Sequence, residues 1–172
     1  TPDAHVNPIT QAGFDPFATD RWTEEWFPLE GLGGLTAASR DAEMLFLGNI
    51  QPELQRRVRS ESAARFAALD SMNLWIETER DSLVAAIAEV NCVLLNDAEI
   101  RMLTGEPNLA RAAREVMAMG PSVVVAKRGE YGAALFSEEG FFAIPGYLLE
   151  DVRDPTGAGD SFAGGFLGYL DG

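Results

Sequence analysis

The chain reads as an α/β protein: a mainly parallel sheet with helices on both faces and an antiparallel hairpin near its C-terminal end. Two observations predict this class. From residue 44 onward, short apolar runs alternate with amphipathic helical segments. Consecutive strands joined by helices return to the sheet in the same direction, so they build a parallel sheet with helices packed on it. The runs at 44–48, 92–95 and 123–125 are apolar throughout, the pattern of strands buried on both faces.

Taken in order, residues 44–48 form a short buried strand and 52–60 a helix that starts with Pro52 in its first turn, where a missing N–H does no harm. Residues 66–69 form the next strand, 80–90 an amphipathic helix and 92–95 a strand. A helix over 109–119 ends at Gly120-Pro121. The strand at 122–126 precedes a hairpin, 133–136 paired with 141–144 around Glu138-Glu139-Gly140. An apolar helix over 161–170 closes the chain. Residues 1–34, with Pro8, Pro16, Pro28, Gly31, Gly33, Gly34, Trp22 and Trp26, are expected to be irregular. The chain is thus one partial domain, 1–172, with 1–40 irregular and 41–172 the α/β core.

The most informative string is Asp154-Pro155-Thr156-Gly157-Ala158-Gly159-Asp160-Ser161, leading into Phe162-Ala163-Gly164-Gly165-Phe166. Pro and small residues delay the helix, so Gly157, Ala158 and Gly159 sit at its N-terminus, where backbone N–H groups and the positive dipole end suit a phosphate oxygen. Asp160 lies beside that cradle. A carboxylate there repels a phosphate unless an acceptor hydroxyl comes between them, whose proton it takes. The plainer reading makes Asp160 a favourable charge on the helix dipole and Gly-Ala-Gly a tight turn. Gly164-Gly165 inside a helix destabilises by about 0.5–1 kcal/mol per residue relative to Ala, and close approach of a neighbouring element or a ligand is the expected reason.

Asn96-Asp97-Ala98-Glu99 follows the strand at 92–95, and Lys127-Arg128-Gly129-Glu130-Tyr131-Gly132 follows that at 122–126. Ligands in open parallel sheets bind beyond the carboxyl ends of the strands, so the motifs share one rim. Asn96 with Glu99 also reads as a helix capping box, and a cap can coexist with a carboxylate that holds a magnesium-bound water. Lys127 is the only lysine beside twelve arginines; a solvated strand end and a nucleotide contact both fit it. Asp70-Ser71-Met72-Asn73 reads as a turn, with a place on the rim, Asn73 near the acceptor or nucleotide, as the alternative; Trp75 reads as packing rather than stacking on a ligand, and Arg56, Arg57 and Arg59 as a solvated helical face.

Together these motifs resemble the ribokinase-like, or PfkB, family of small-molecule kinases. The resemblance implies an ATP-dependent transfer to a hydroxyl of a sugar or nucleoside. It makes Asp160 the base and Gly157, Ala158 and Gly159 the anion hole. It places Asn96, Lys127, Gly129, Gly132 and Thr156 on the nucleotide and lets Glu99 reach Mg2+ through water. It extends from about 41 to 172; residues 1–40 match nothing in it. The family's Gly-Gly-Asn-type substrate motif is not found, and the chain stops soon after Leu170, so it reads as a fragment holding the phosphate end of the site. A non-catalytic nucleotide-binding or regulatory module is the competing class. A homodimer of the longer parent is compatible with the resemblance.

Composition excludes other chemistries. The net charge of -14 argues against a nucleic-acid polymer as partner, whereas backbone N–H groups and Mg2+ can hold a small phosphorylated ligand. One cysteine, Cys92, permits no intrachain disulfide, and its apolar strand makes it a buried inert thiol. The only histidine, His5, supports neither a Ser-His-Asp nor a zinc-histidine centre. No apolar run approaches the roughly 20 residues of a membrane span, and no secretory signal is evident, so a cytoplasmic protein is expected.

Overall fold

The computed structural model describes Leu35, residues 37–152 and residues 154–171. The irregular segment expected over 1–34, with His5, Trp22 and Trp26, lies outside these residues. A one-turn helix, α1 (Ala37–Arg40), falls within the stretch expected to be irregular.

One six-stranded sheet carries β1 (Met44–Leu47), β2 (Phe66–Asp70), β3 (Cys92–Asn96), β4 (Val123–Lys127), β5 (Ala133–Ser137) and β6 (Gly140–Ile144), in that spatial order. Strands β1 to β4 are parallel. The last two return antiparallel, as the Glu138-Glu139-Gly140 turn predicts. Between the parallel strands run α2 (Pro52–Glu61), α3 (Asn73–Thr78), α4 (Arg80–Ile87), α5 (Asp97–Thr104) and α6 (Leu109–Ala118); α7 (Ala158–Asp171) follows the hairpin.

The period-two alternation of strands sorts the core into two layers. Leu69, Val93, Leu95, Val124, Ala126 and Phe136 meet Trp75, Leu83, Ile87, Ile100, Leu103 and Val116 from α3 to α6. Each large side chain buried there contributes roughly 1.5–3 kcal/mol relative to exposure. On the opposite face Ala68, Cys92, Leu94 and Val125 pack on Ala163 and Leu167 of α7. Helices therefore cover both faces, but unevenly. Stepwise parallel pairing in one direction puts every crossover on one side, and among the described residues α7 alone covers the other.

Burial alone pushes the Cys92 thiol up to about 12, so it is as inert as its strand suggests. The arginines of α2 keep part of the solvated face expected of them, but two of them also tie the helix down. Arg56 Nε pairs with Glu89 Oε1 at 2.9 Å, and Arg59 Nε donates to the Glu89 carbonyl at 3.0 Å, fastening α2 to the end of α4. Among the described residues no helix is long and apolar enough to cross a membrane.

Candidate functional site

Three parallel strands end side by side in residues of high chemical content: Asp70 closes β2, Asn96 closes β3 and Lys127 closes β4. The register sets Asp70 beside Leu94 and Asn96 beside Lys127. Side chains 57 residues apart in sequence are thereby brought into contact.

Lys127 Nζ donates to Asp70 Oδ2 at 2.5 Å, with side chains only 18% and 5% exposed. The other carboxylate oxygen, Oδ1, accepts the Ser71 N–H at 2.8 Å. Gln55 Nε2 donates to the Asp70 and Gly48 carbonyls, each at 2.8 Å, and so locks the strand end from α2. Asp70 is thus no turn former. It is the buried anion opposite the chain's only lysine, and removing either partner leaves the other uncompensated. Asn73, read as part of the same turn, is exposed at the start of α3. Trp75 is buried, with its Nε1 donating to Asn49 Oδ1 at 3.0 Å, which bears out packing rather than stacking on a ligand.

Asn96 and Glu99 form a full capping box on α5: Asn96 Oδ1 accepts the Glu99 N–H at 2.8 Å and Glu99 Oε2 accepts the Asn96 N–H at 2.7 Å. Glu99 is buried, and burial raises its pKa despite the Asn96 N–H and Lys127, which favour the charged form; Asp70 adds to the rise. Because the folded state holds this proton more tightly than the unfolded chain, Glu99 withdraws stability as the pH rises from the ordinary carboxylate range through its raised value. Glutamine serves equally as a capping-box partner. Glu99→Gln is therefore expected to match the native chain in urea denaturation at pH 4 or below, and to become the more stable of the two as the pH rises toward 7. A variant that matches the native chain at low pH but becomes the less stable of the two as the pH rises would mean that the charge itself makes the cap.

Helix α7 begins three residues earlier than the sequence suggests, at Ala158. Gly157, with φ of +78°, turns the chain into it, a conformation that glycine holds without strain. Its carbonyl accepts the Ser161 N–H at 2.9 Å, whereas the Ala158 N–H is paired with the Pro155 carbonyl at 3.1 Å. Upstream, Asp154 Oδ1 accepts the Thr156 N–H at 2.9 Å, which together with the Thr156 side chain holds the Asp154 carboxyl below its usual range. A Cβ built on Gly159 would stand 3.4 Å from Lys127 Nζ. The ammonium at the end of β4 thus abuts the first turn of α7, and Asp160, the next residue, is exposed. Gly129 opens a 3-10 turn (Gly129–Tyr131) one residue after β4 and Gly132 follows it, both with positive φ. Of the two reasons expected for Gly164-Gly165, a neighbouring element or a ligand, the first is not seen: no described residue lies within 4 Å of a Cβ at either position.

The rim thus presents an ammonium, a helix N-terminus and one exposed carboxylate. Among the described residues no group of three or more His, Cys, Asp or Glu forms a metal cage. Glu99, with one oxygen committed to the cap, fits an outer-sphere role through water rather than direct ligation.

Known proteins resemble this chain in sequence and fold. A sequence profile described as pfkB family carbohydrate kinase matches residues 36–171. The cytidine kinase of Thermococcus kodakarensis is 35% identical over 135 residues, 75% of this chain and 48% of that protein. The fructokinase of Vibrio alginolyticus is 29% identical over 118 residues, 65% of this chain and 38% of that protein. Among solved structures, a PfkB protein from Polaromonas sp. JS666 has a TM-score of 0.64 at 28% identity, covering 75% of this chain and 46% of that one. A putative ribokinase II from E. coli, in complex with ATP and Mg2+, shares the fold, with a TM-score of 0.64 at 21% identity over 75% of this chain and 46% of its own. The chain spans about half, or less, of the length of these relatives. With the profile matching almost everything from α1 to α7, the chain belongs to the pfkB family of carbohydrate kinases.

Proposed function

We propose that the protein carrying this chain moves the γ-phosphoryl group of ATP to a hydroxyl of a sugar or nucleoside. The observation that carries this reading is the contact of Lys127 with Gly159 at the start of α7, one residue before the exposed Asp160. Two positive features, an ammonium and a helix N-terminus, converge where an anion would rest. Asp160 stands next to that position, placed to orient the acceptor hydroxyl and take its proton. ATP with Mg2+ supplies the phosphoryl group. Within the segment Gly157–Gly159 the N–H groups of Gly157 and Gly159 carry the anion binding, because that of Ala158 is already paired. Asn96, Lys127, Gly129, Gly132 and Thr156 line the nucleotide side, and Glu99 reaches the cation through water.

Named relatives with sugar and nucleoside acceptors, a fructokinase and a cytidine kinase, support the acceptor class. The direct test is phosphoryl transfer by the whole protein from ATP to a panel of sugars and nucleosides, followed by product mass. Transfer to one member is expected. ATP binding with no transfer to any would favour the non-catalytic module, and no ATP binding would end the nucleotide reading altogether. Because the chain spans about half of its relatives, the 172 residues alone are expected to bind ATP weakly and to show no robust turnover.

Gly159→Ala separates binding from folding. The helix gains up to about 1 kcal/mol in propensity, but the new methyl lies against Lys127 Nζ and over the first-turn N–H. Losing one charge-assisted hydrogen bond weakens ATP roughly tenfold to a hundredfold. Titration calorimetry beside thermal melts reads both; unchanged affinity would remove Gly159 from the cradle.

A further inference from the structure

We propose that Asp70 is a positioning residue, a buried counter-anion that holds the Lys127 ammonium against the N-terminus of α7. The proposal rests on the nucleotide reading above and adds to it a residue from a different strand. An ammonium on a flexible four-carbon stem does not settle by itself beside the positive end of a helix, because the two repel. Here it does settle there, 3.4 Å from the position of a Gly159 Cβ, and the group that holds it is Asp70 Oδ2.

The anchor is rigid. Its other oxygen is bound by the Ser71 N–H, its carbonyl by Gln55, and its side chain is 5% exposed. A lysine ammonium has three donors. One goes to Asp70, and the remaining two stay available to a phosphate at the helix end. Pre-ordering the stem removes the rotamer entropy that binding would otherwise have to freeze out. Asp70 therefore touches neither nucleotide nor acceptor and acts only through Lys127.

A purely structural ion pair makes a different prediction, so a double-mutant cycle in the whole protein decides. With Lys127 present, Asp70→Asn is expected to weaken ATP about tenfold, and in the Lys127→Met background less than about twofold, both read by calorimetry. Lysine-selective 13Cε labelling, with the Lys127 signal assigned by its absence from Lys127→Met, reads the ammonium stem directly. Asp70→Asn is expected to convert it from restricted to freely mobile without any nucleotide present. The amide oxygen of Asn still accepts the Ser71 N–H, which preserves the strand end; should the variant fold poorly, Asp70→Glu, with the charge displaced by one methylene, is read the same way. An immobile label in the variant, or an equal loss in both backgrounds, overturns the proposal. A native label that ignores ATP overturns instead the nucleotide reading on which it rests.

Discussion

Asp160→Asn in the whole protein is expected to lower phosphoryl transfer by about 10²–10⁴-fold, the usual contribution of a general base, while ATP binds as well as before or more tightly. The direction of the binding change follows from placement. Asp160 lies in the first turn of α7, exposed, next to the Gly159 main chain that Lys127 approaches. Its negative charge opposes an incoming phosphate, and asparagine removes that charge with little change in shape. Asparagine cannot accept a proton from an acceptor hydroxyl, so the loss concentrates in kcat. Phosphoryl transfer is largely dissociative, and part of the effect comes from orienting the hydroxyl rather than from early proton removal. A loss confined to kcat with flat pH dependence points to orientation; a loss that steepens at low pH in the native protein and vanishes in the variant points to the proton. Near-normal turnover with Asn would reduce Asp160 to a favourable charge on the helix dipole.

The same placement explains what the sequence could and could not reveal. The inner strands were legible because burial on both faces leaves only Val, Leu, Ala and Cys in 92–95 and 123–126, and the hairpin because Glu138-Glu139-Gly140 can only turn. The capping box at Asn96 and Glu99 was visible while the helix it starts, α5, was not: eight residues with Arg101 and Met102 facing outward give too few turns of apolar stripe. Asp70 was ranked as a turn former ahead of a rim residue for a different reason. An aspartate after an apolar run is an ordinary turn former, and its partner lies 57 residues away, joined to it only through sheet register. The usable signal was there: the only lysine in the chain closes one buried strand, and an aspartate closes another. Gly164-Gly165 is a local oddity that suggested a neighbouring element or a ligand, and the described residues supply no such element there.

The largest effect on stability is expected from Gly132→Ala, a loss of about 2–5 kcal/mol that combines a glycine-only backbone conformation with overpacking. Gly132 has φ of 88° and ψ of -137°, a region that a side chain excludes sterically. The space is closed as well. A Cβ there would lie 2.0 Å from the Ile144 carbonyl oxygen and 2.5 Å from the Gly146 nitrogen, and one on Gly146 would lie 2.3 Å from the Glu130 carbonyl oxygen. The chain leaving β6 thus crosses the turn after β4 with backbone against backbone. No rotamer change relieves such a contact, so residues 144–146 must move away. Those residues begin the segment that runs to Gly157, and their displacement also loosens the path by which α7 is set over Lys127. Urea denaturation measures the loss, with Gly164→Ala as the control: that position lies in a helix with nothing within 4 Å, where alanine is expected to add about 0.5–1 kcal/mol. Hydrogen exchange should localise the damage to β5, β6 and the 3-10 turn, leaving β2 and β3 protected. A Gly132→Ala chain as stable as the native one would show that the crossing at residues 144–146 yields without cost, and that the hairpin does not fix the approach to α7.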